Sequence, residues 1–107
     1  MTSEVLQKIL AELRIGLVEI LEDRLEAVYL YGSQARGDAR TDSDIDVLVV
    51  LKDKFDYFEM VEKVSRLTAS LSLEYETVIS CVYVSKEDYL NRRTPLLLNV
   101  RKEGIAV

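Results

Sequence analysis

What chemistry this chain of 107 residues advertises lies in a glycine–serine corner and two carboxylates. Gly32 and Ser33 close a short apolar segment, and ten residues later Asp44 and Asp46 bracket Ile45 at the start of a second one. Alternate residues of a strand point to one face, so Asp44 and Asp46 should project together, their Cα atoms about 7 Å apart. Carboxylates held that close repel unless a cation lies between them. Mg2+ takes one or two protein carboxylates and completes its shell with water and phosphate oxygens, so the pair reads as a Mg2+–triphosphate platform. Gly32 lets the backbone approach a ligand closely. Ser33 offers a hydroxyl and an N–H at a helix start, where anions are favoured. Arg36 and Arg40 either add positive charge at the phosphate end or stay in solvent.

The plainer alternative is a solvated acidic turn in which Asp and Ser side chains bond local backbone groups. Asp46 weighs against it, because it lies inside an apolar strand pattern where a carboxylate is costly without a partner. Histidine is absent from the chain and no lysine is adjacent in sequence, which leaves a metal as the partner. The missing histidine also excludes imidazole bases, Ser-His triads and His-ligated zinc.

The elements that must position these residues are legible from periodicity. Leu6, Ile9, Leu10, Leu13, Leu17, Ile20 and Leu21 form one helical stripe over 3–23, opened by Ser3 as N-cap, with a bend or fray expected at Gly16. Residues 27–31 read as a buried strand ending at Gly32. Residues 33–43 read as a loop with one helical turn from Ser33, and 45–51 as a strand covered on both faces. A second helix over 57–73 carries the stripe Phe58, Val61, Val64, Leu67 and Leu71. Residues 77–84 are a third strand. Ser85 then caps a short helix, Pro95 starts a last one over 94–103, and Gly104 stops it. The order α-β-β-α-β-α-α predicts an α/β (α+β) fold, helices packed on a small mixed sheet. No repeat or linker divides residues 1–107, so a single domain is expected.

Composition narrows the function classes. Hydrophobic residues at 49% and charged residues at 31% fit a globular chain rather than a disordered one. The net charge is −5 and basic residues never run beyond two, so no direct nucleic-acid binding is expected. Cys81 is the only cysteine, which rules out an internal disulfide and fits a reducing compartment. No apolar run approaches the ~20 residues of a membrane span, and no signal peptide is visible, so a cytoplasmic location is the expectation.

Gly32-Ser33, ten residues, then Asp44-Ile45-Asp46 resembles the signature of the DNA polymerase beta-type nucleotidyltransferase superfamily. The fuller string Tyr-Gly-Ser-Gln-Ala-Arg-Gly, with Ser-Asp-Ile-Asp-Val-Leu-Val, is similar to its minimal nucleotidyltransferase (MNT) branch, as does the late Arg-Lys-Glu-Gly. The resemblance implies transfer of a nucleoside monophosphate from a triphosphate, with Asp44 and Asp46 catalytic and holding Mg2+. It assigns nucleotide binding to Gly32, Ser33, Arg36 and Ser43. Many members carry a third carboxylate on the later strand. Here Ser80 stands where it is expected, and Glu76, on the same face by strand parity, is the remaining candidate. Tyr31 is the aromatic placed nearest a nucleobase.

No acceptor-holding domain follows the motif, so the acceptor site is expected from a partner or a homodimer. The branch resembles one half of toxin–antitoxin pairs whose other half is a helical HEPN-type ribonuclease. That implies an antitoxin that moves AMP from ATP to a tyrosine hydroxyl of the toxin. An acidic chain can complement a basic RNA-binding partner. Two further classes stay open: an antitoxin acting by contact alone, and a small-molecule nucleotidyltransferase of the antibiotic-modifying type. The last helix, with Leu96, Leu97, Leu98 and Val100, is either core or a partner face.

Overall fold

A computed structural model describes residues 1–40 and 43–107. Helix α1 (Ser3–Leu21) runs through a 3-10 turn (Glu22–Arg24) into strand β1 (Leu25–Tyr31). The one-turn helix α2 (Ser33–Arg36) follows, then β2 (Ile45–Leu51), α3 (Tyr57–Tyr75), β3 (Ile79–Ser85), α4 (Lys86–Asn91), α5 (Pro95–Glu103) and β4 (Ile105–Ala106). The sheet order is β3-β2-β1-β4. β1 lies antiparallel to β2 and to β4, whereas β2 and β3 are parallel and joined by the crossover helix α3. The expected mixed α+β architecture is the one observed. Among the described residues no helix is long and apolar enough to cross a membrane.

Strand alternation sorts β2 between two cores. Ile45, Val47, Val49 and Leu51 pack with Ile9, Leu13, Leu17, Met60 and Val64 of α1 and α3. Leu48 and Val50 pack with Leu97 and Val100 of α5 on the opposite face. Leu97 and Val100 are thus core, while Leu98 of the same helix is exposed.

Several boundaries differ from the sequence reading. Thr2, not Ser3, caps α1, its hydroxyl accepting the Val5 N–H. The helix continues through Gly16 without a break, because a β-carbon there would lie 2.6 Å from Leu67 Cδ1 and Cδ2 of α3. Gly16 is a close-contact residue rather than a weak point. On α3 the inward stripe is Met60, Val64, Leu67 and Leu71, and Phe58 and Val61 are exposed. Val64, Leu67 and Leu71 face inward as the apolar pattern suggested, and only the first turn differs, where Met60 occupies the inward position. Gly104 ends α5 with an extended φ of −67°, and β4, absent from the sequence reading, follows directly.

Candidate active site

Of the seven β2 residues only Asp46 is not buried. It lies on the α5 face, one row beyond Leu48, where the cover supplied by Leu97 and Val100 ends. Its cross-strand partners are Tyr31 of β1 and Ser80 of β3. Paired residues of adjacent strands share a face. Tyr31, Asp46 and Ser80 therefore form one row across the sheet end.

Gly32 closes β1 immediately beside that row. Its backbone sits at φ 75°, ψ −156°, a region essentially reserved for glycine. A β-carbon at Gly32 would lie 2.6 Å from Asp46 Oδ2. The bare backbone of the corner and the carboxylate thus share one cradle, with no room for a side chain at Gly32. The Gly32 carbonyl accepts the Ala35 and Arg36 N–H groups at 3.1 Å, and the Ser33 carbonyl accepts those of Gly37 and Asp38. These bonds close the single turn of α2 directly after the corner. The N–H groups of Ser33 and Gln34, at the start of α2, have no partner within the helix by geometry.

The electrostatics mark Asp46 as strained in charge. Burial first, and the Asp44 carboxylate second, push its pKa above the ordinary aspartate value, while Arg36 pulls it down. Asp44 precedes the strand and is exposed. The Tyr31 hydroxyl is likewise raised, by burial and then by Asp46. Two mutually repelling carboxylates, one half-buried, offer hard oxygen donors of the type that divalent Mg2+ selects. The donor set fits such an ion, with Asp44 and Asp46 as the residues that would hold it.

The remaining expected residues are disposed as follows. Arg36 leaves α2 toward α5, where Nη1 donates to Glu103 Oε1 at 3.1 Å and Nε donates to Asp38 Oδ2 at 3.1 Å. Ser43 is turned toward its own loop, its hydroxyl accepting the Arg40 N–H at 2.8 Å. Glu76 lies outside β3. It is the exposed C-cap of α3 in the left-handed region, φ 51°, so the strand-parity argument that turned it toward the site does not apply. Among the described residues no third acid joins Asp44 and Asp46. Glu103, which contacts Arg36, was not singled out from the sequence, because 67 residues separate the two and no local spacing links them.

The family described as polymerase beta nucleotidyltransferase matches residues 16–104. The chain belongs to this family. A Methanocaldococcus jannaschii protein named "Putative protein adenylyltransferase" is 35% identical over 100 residues, spanning 94% of this chain and 96% of the relative. A solved structure described as a "putative minimal nucleotidyltransferase" superposes with a TM-score of 0.61 at 24% identity, covering 95% of both chains. A chain from the complex of tri-AMPylated Shewanella oneidensis HEPN toxin with MNT antitoxin gives 0.51 at 22% identity, covering 94% of this chain and 66% of that one. The last two share the fold. The chain is accordingly a nucleotidyltransferase, related in sequence to a protein named for protein adenylyl transfer.

Proposed function

We propose that residues 1–107 form one minimal nucleotidyltransferase domain that moves AMP from ATP to a protein hydroxyl. The acceptor in this reading is a tyrosine of a HEPN-type toxin, and the chain is its antitoxin. The observation that carries the proposal is the Gly32–Asp46 contact, which brings the glycine corner against a half-buried carboxylate. The relative named for protein adenylyl transfer, and the solved complex of an MNT antitoxin with an AMPylated toxin, support the choice of donor and acceptor.

In the transfer, the acceptor oxygen forms a bond to the α-phosphorus while the bond to the α–β bridging oxygen breaks. Pyrophosphate leaves with the electron pair, and the hydroxyl proton passes to solvent. Mg2+, when held by Asp44 and Asp46, neutralises phosphate charge. Gly32 keeps the corner open, the Ser33 hydroxyl and amide face the β and γ phosphates, and Arg36 adds positive charge beside them. Tyr31 shares the face of Asp46, and in this reading its ring lies beside the donor nucleotide.

A contact-only antitoxin is the second reading. It is favoured by Ser80, rather than an acid, standing beside Asp46 on β3. Intact mass separates the two. The chain and its Asp44→Asn/Asp46→Asn variant are incubated with ATP and Mg2+, with and without the product of the adjacent gene. A gain of one or more AMP units on the partner, lost with the variant, is the expected result. Tight binding retained by the variant with no mass gain would leave the contact-only reading.

A further inference from the structure

Arg36 makes two ion pairs of unequal meaning. Asp38 lies two residues on, just past the end of α2, so that pair is local and fixes nothing to the body of the protein. Glu103 belongs to the last turn of α5, and its side chain, 27% exposed, is the more enclosed of the two carboxylates. Glu103 is also fastened on both sides. Before it, Leu97 and Val100 lie in the core beneath Leu48 and Val50. After it, the Gly104 N–H donates to the Val100 carbonyl at 2.7 Å, and Ile105 and Ala106 pair with Leu30 and Tyr29 of β1. The Val107 N–H then donates to the Val28 carbonyl, and Arg14 Nη1 donates to the Val107 carbonyl. Among the described residues, the Arg36–Glu103 contact is the ion pair that ties the nucleotide corner to this clamped segment.

A guanidinium carries five N–H donors in a planar fork. Among the described residues its contacts use Nε and one hydrogen of Nη1, which leaves the second Nη1 hydrogen and both Nη2 hydrogens for another acceptor. Arg36 closes the single helical turn that begins at the corner, its N–H donating to the Gly32 carbonyl at 3.1 Å, and its side chain is 45% exposed, so the fork is anchored beside the cradle and open to a ligand. We infer that Glu103 is a positioning residue for nucleotide binding: it holds the Arg36 guanidinium so that its remaining donors meet the phosphates of the incoming nucleoside triphosphate. This rests on the function proposed above and names the residue that sets one of its phosphate contacts. An arginine prepared in this way loses less freedom when the phosphate arrives.

Exposed ion pairs contribute little to folding, so loss of Glu103 charge should leave the melting temperature in place. The test compares the full chain with its Glu103→Gln and Glu103→Asp variants. The readouts are binding of AMP-PNP with Mg2+ by calorimetry, KM and kcat for ATP, and thermal melting. Glu103→Gln should weaken AMP-PNP about tenfold and raise KM by a similar factor, with kcat held within about twofold. Glu103→Asp, which keeps the charge, should recover part of both. Wild-type binding by Glu103→Gln, or a fall in melting temperature that tracks the loss of binding in both variants, overturns the inference and leaves the proposed transfer standing. A wild-type chain that neither binds AMP-PNP nor transfers AMP overturns the proposed transfer, and the inference with it.

Discussion

Gly32 Cα faces Asp46 Oδ2 so closely that a single added carbon at Gly32 would sit 2.6 Å from the oxygen. The contact joins the end of β1 to the start of β2 across one rung of the sheet, where Tyr31 and Asp46 are paired. Gly32→Ala meets two obstacles there, the carboxylate and a backbone at φ 75°. Backbone strain of that kind costs about 1–3 kcal/mol. The variant should melt lower by a corresponding amount and lose adenylyl transfer. Gly37→Ala is the control: φ is 82° there, but none of the described residues lies within 4 Å of an added carbon, so strain without collision should leave transfer measurable. Melting curves and AMP incorporation, measured on both, separate the two effects.

Glu76 supplies a sharper check on the site's membership. It sits at the C-cap of α3 with φ 51°, its N–H bonded to the Ser72 carbonyl. A non-glycine residue pays about 1 kcal/mol or somewhat more in this conformation. Glu76→Gly should therefore stabilise the protein by about 0.5–1 kcal/mol and leave nucleotide binding and transfer unaltered. If instead transfer falls by an order of magnitude while stability rises, Glu76 reaches the reacting groups in a way the structure does not place it.

The same residue shows where the sequence stops being informative. Counting alternation backward from Ser80 assumed that the strand extends through Glu76, but a left-handed residue at a helix end resets the direction of the chain. Local signals worked where the cause was local: the apolar run of β2, the carboxylates at its mouth, the turn begun by Ser33, and the Ser85 and Pro95 helix starts. They failed where a neighbour decides. Whether Phe58 or Met60 faces inward depends on where α1 lies, and Gly16 is tolerated mid-helix because Leu67 fills the space beside it. β4 is two residues long and exists by pairing with β1, so no periodicity could announce it. Glu103 gains its place beside Arg36 through the same folding-back of the chain.

Alkaline unfolding tests the tie between α1 and α3. The Tyr75 hydroxyl donates to Glu12 Oε2 at 2.6 Å, and chiefly through that bond its pKa is pushed up to about 12. An unfolded tyrosine ionises near 10. The proton is thus bound more tightly in the folded state, and the stability this contributes is complete below about pH 10. It is lost as pH rises from about 10 to about 12, where the phenolate would face a carboxylate. Burial raises Tyr83 in the same direction, so the wild-type chain should lose stability over this range from more than one group. Tyr75→Phe should be less stable at neutral pH and show a shallower decline between pH 10 and 12. Urea denaturation at fixed pH values reads both, and an unchanged slope would remove Glu12–Tyr75 from the account.

The carboxylate pair should behave oppositely with and without a cation. Asp46 is raised in pKa by burial and by Asp44, so its ionised form is less favourable in the folded chain than in the unfolded one. Above its folded pKa that mismatch costs stability, and the cost disappears as pH falls and the carboxylate takes up its proton. Asp46→Asn should therefore melt higher than the wild-type chain in metal-free buffer at neutral pH, with the gap closing toward acid. Mg2+ should reverse the order, because an ion bound by the folded state alone adds about 2.7 kcal/mol when present at 100 times its Kd. The wild-type chain should then melt higher with rising Mg2+, whereas Asp44→Asn/Asp46→Asn should not respond. Equal responses from both chains would mean that Asp44 and Asp46 do not hold the ion, and the cradle at Gly32 would have to draw its positive charge from Arg36 alone.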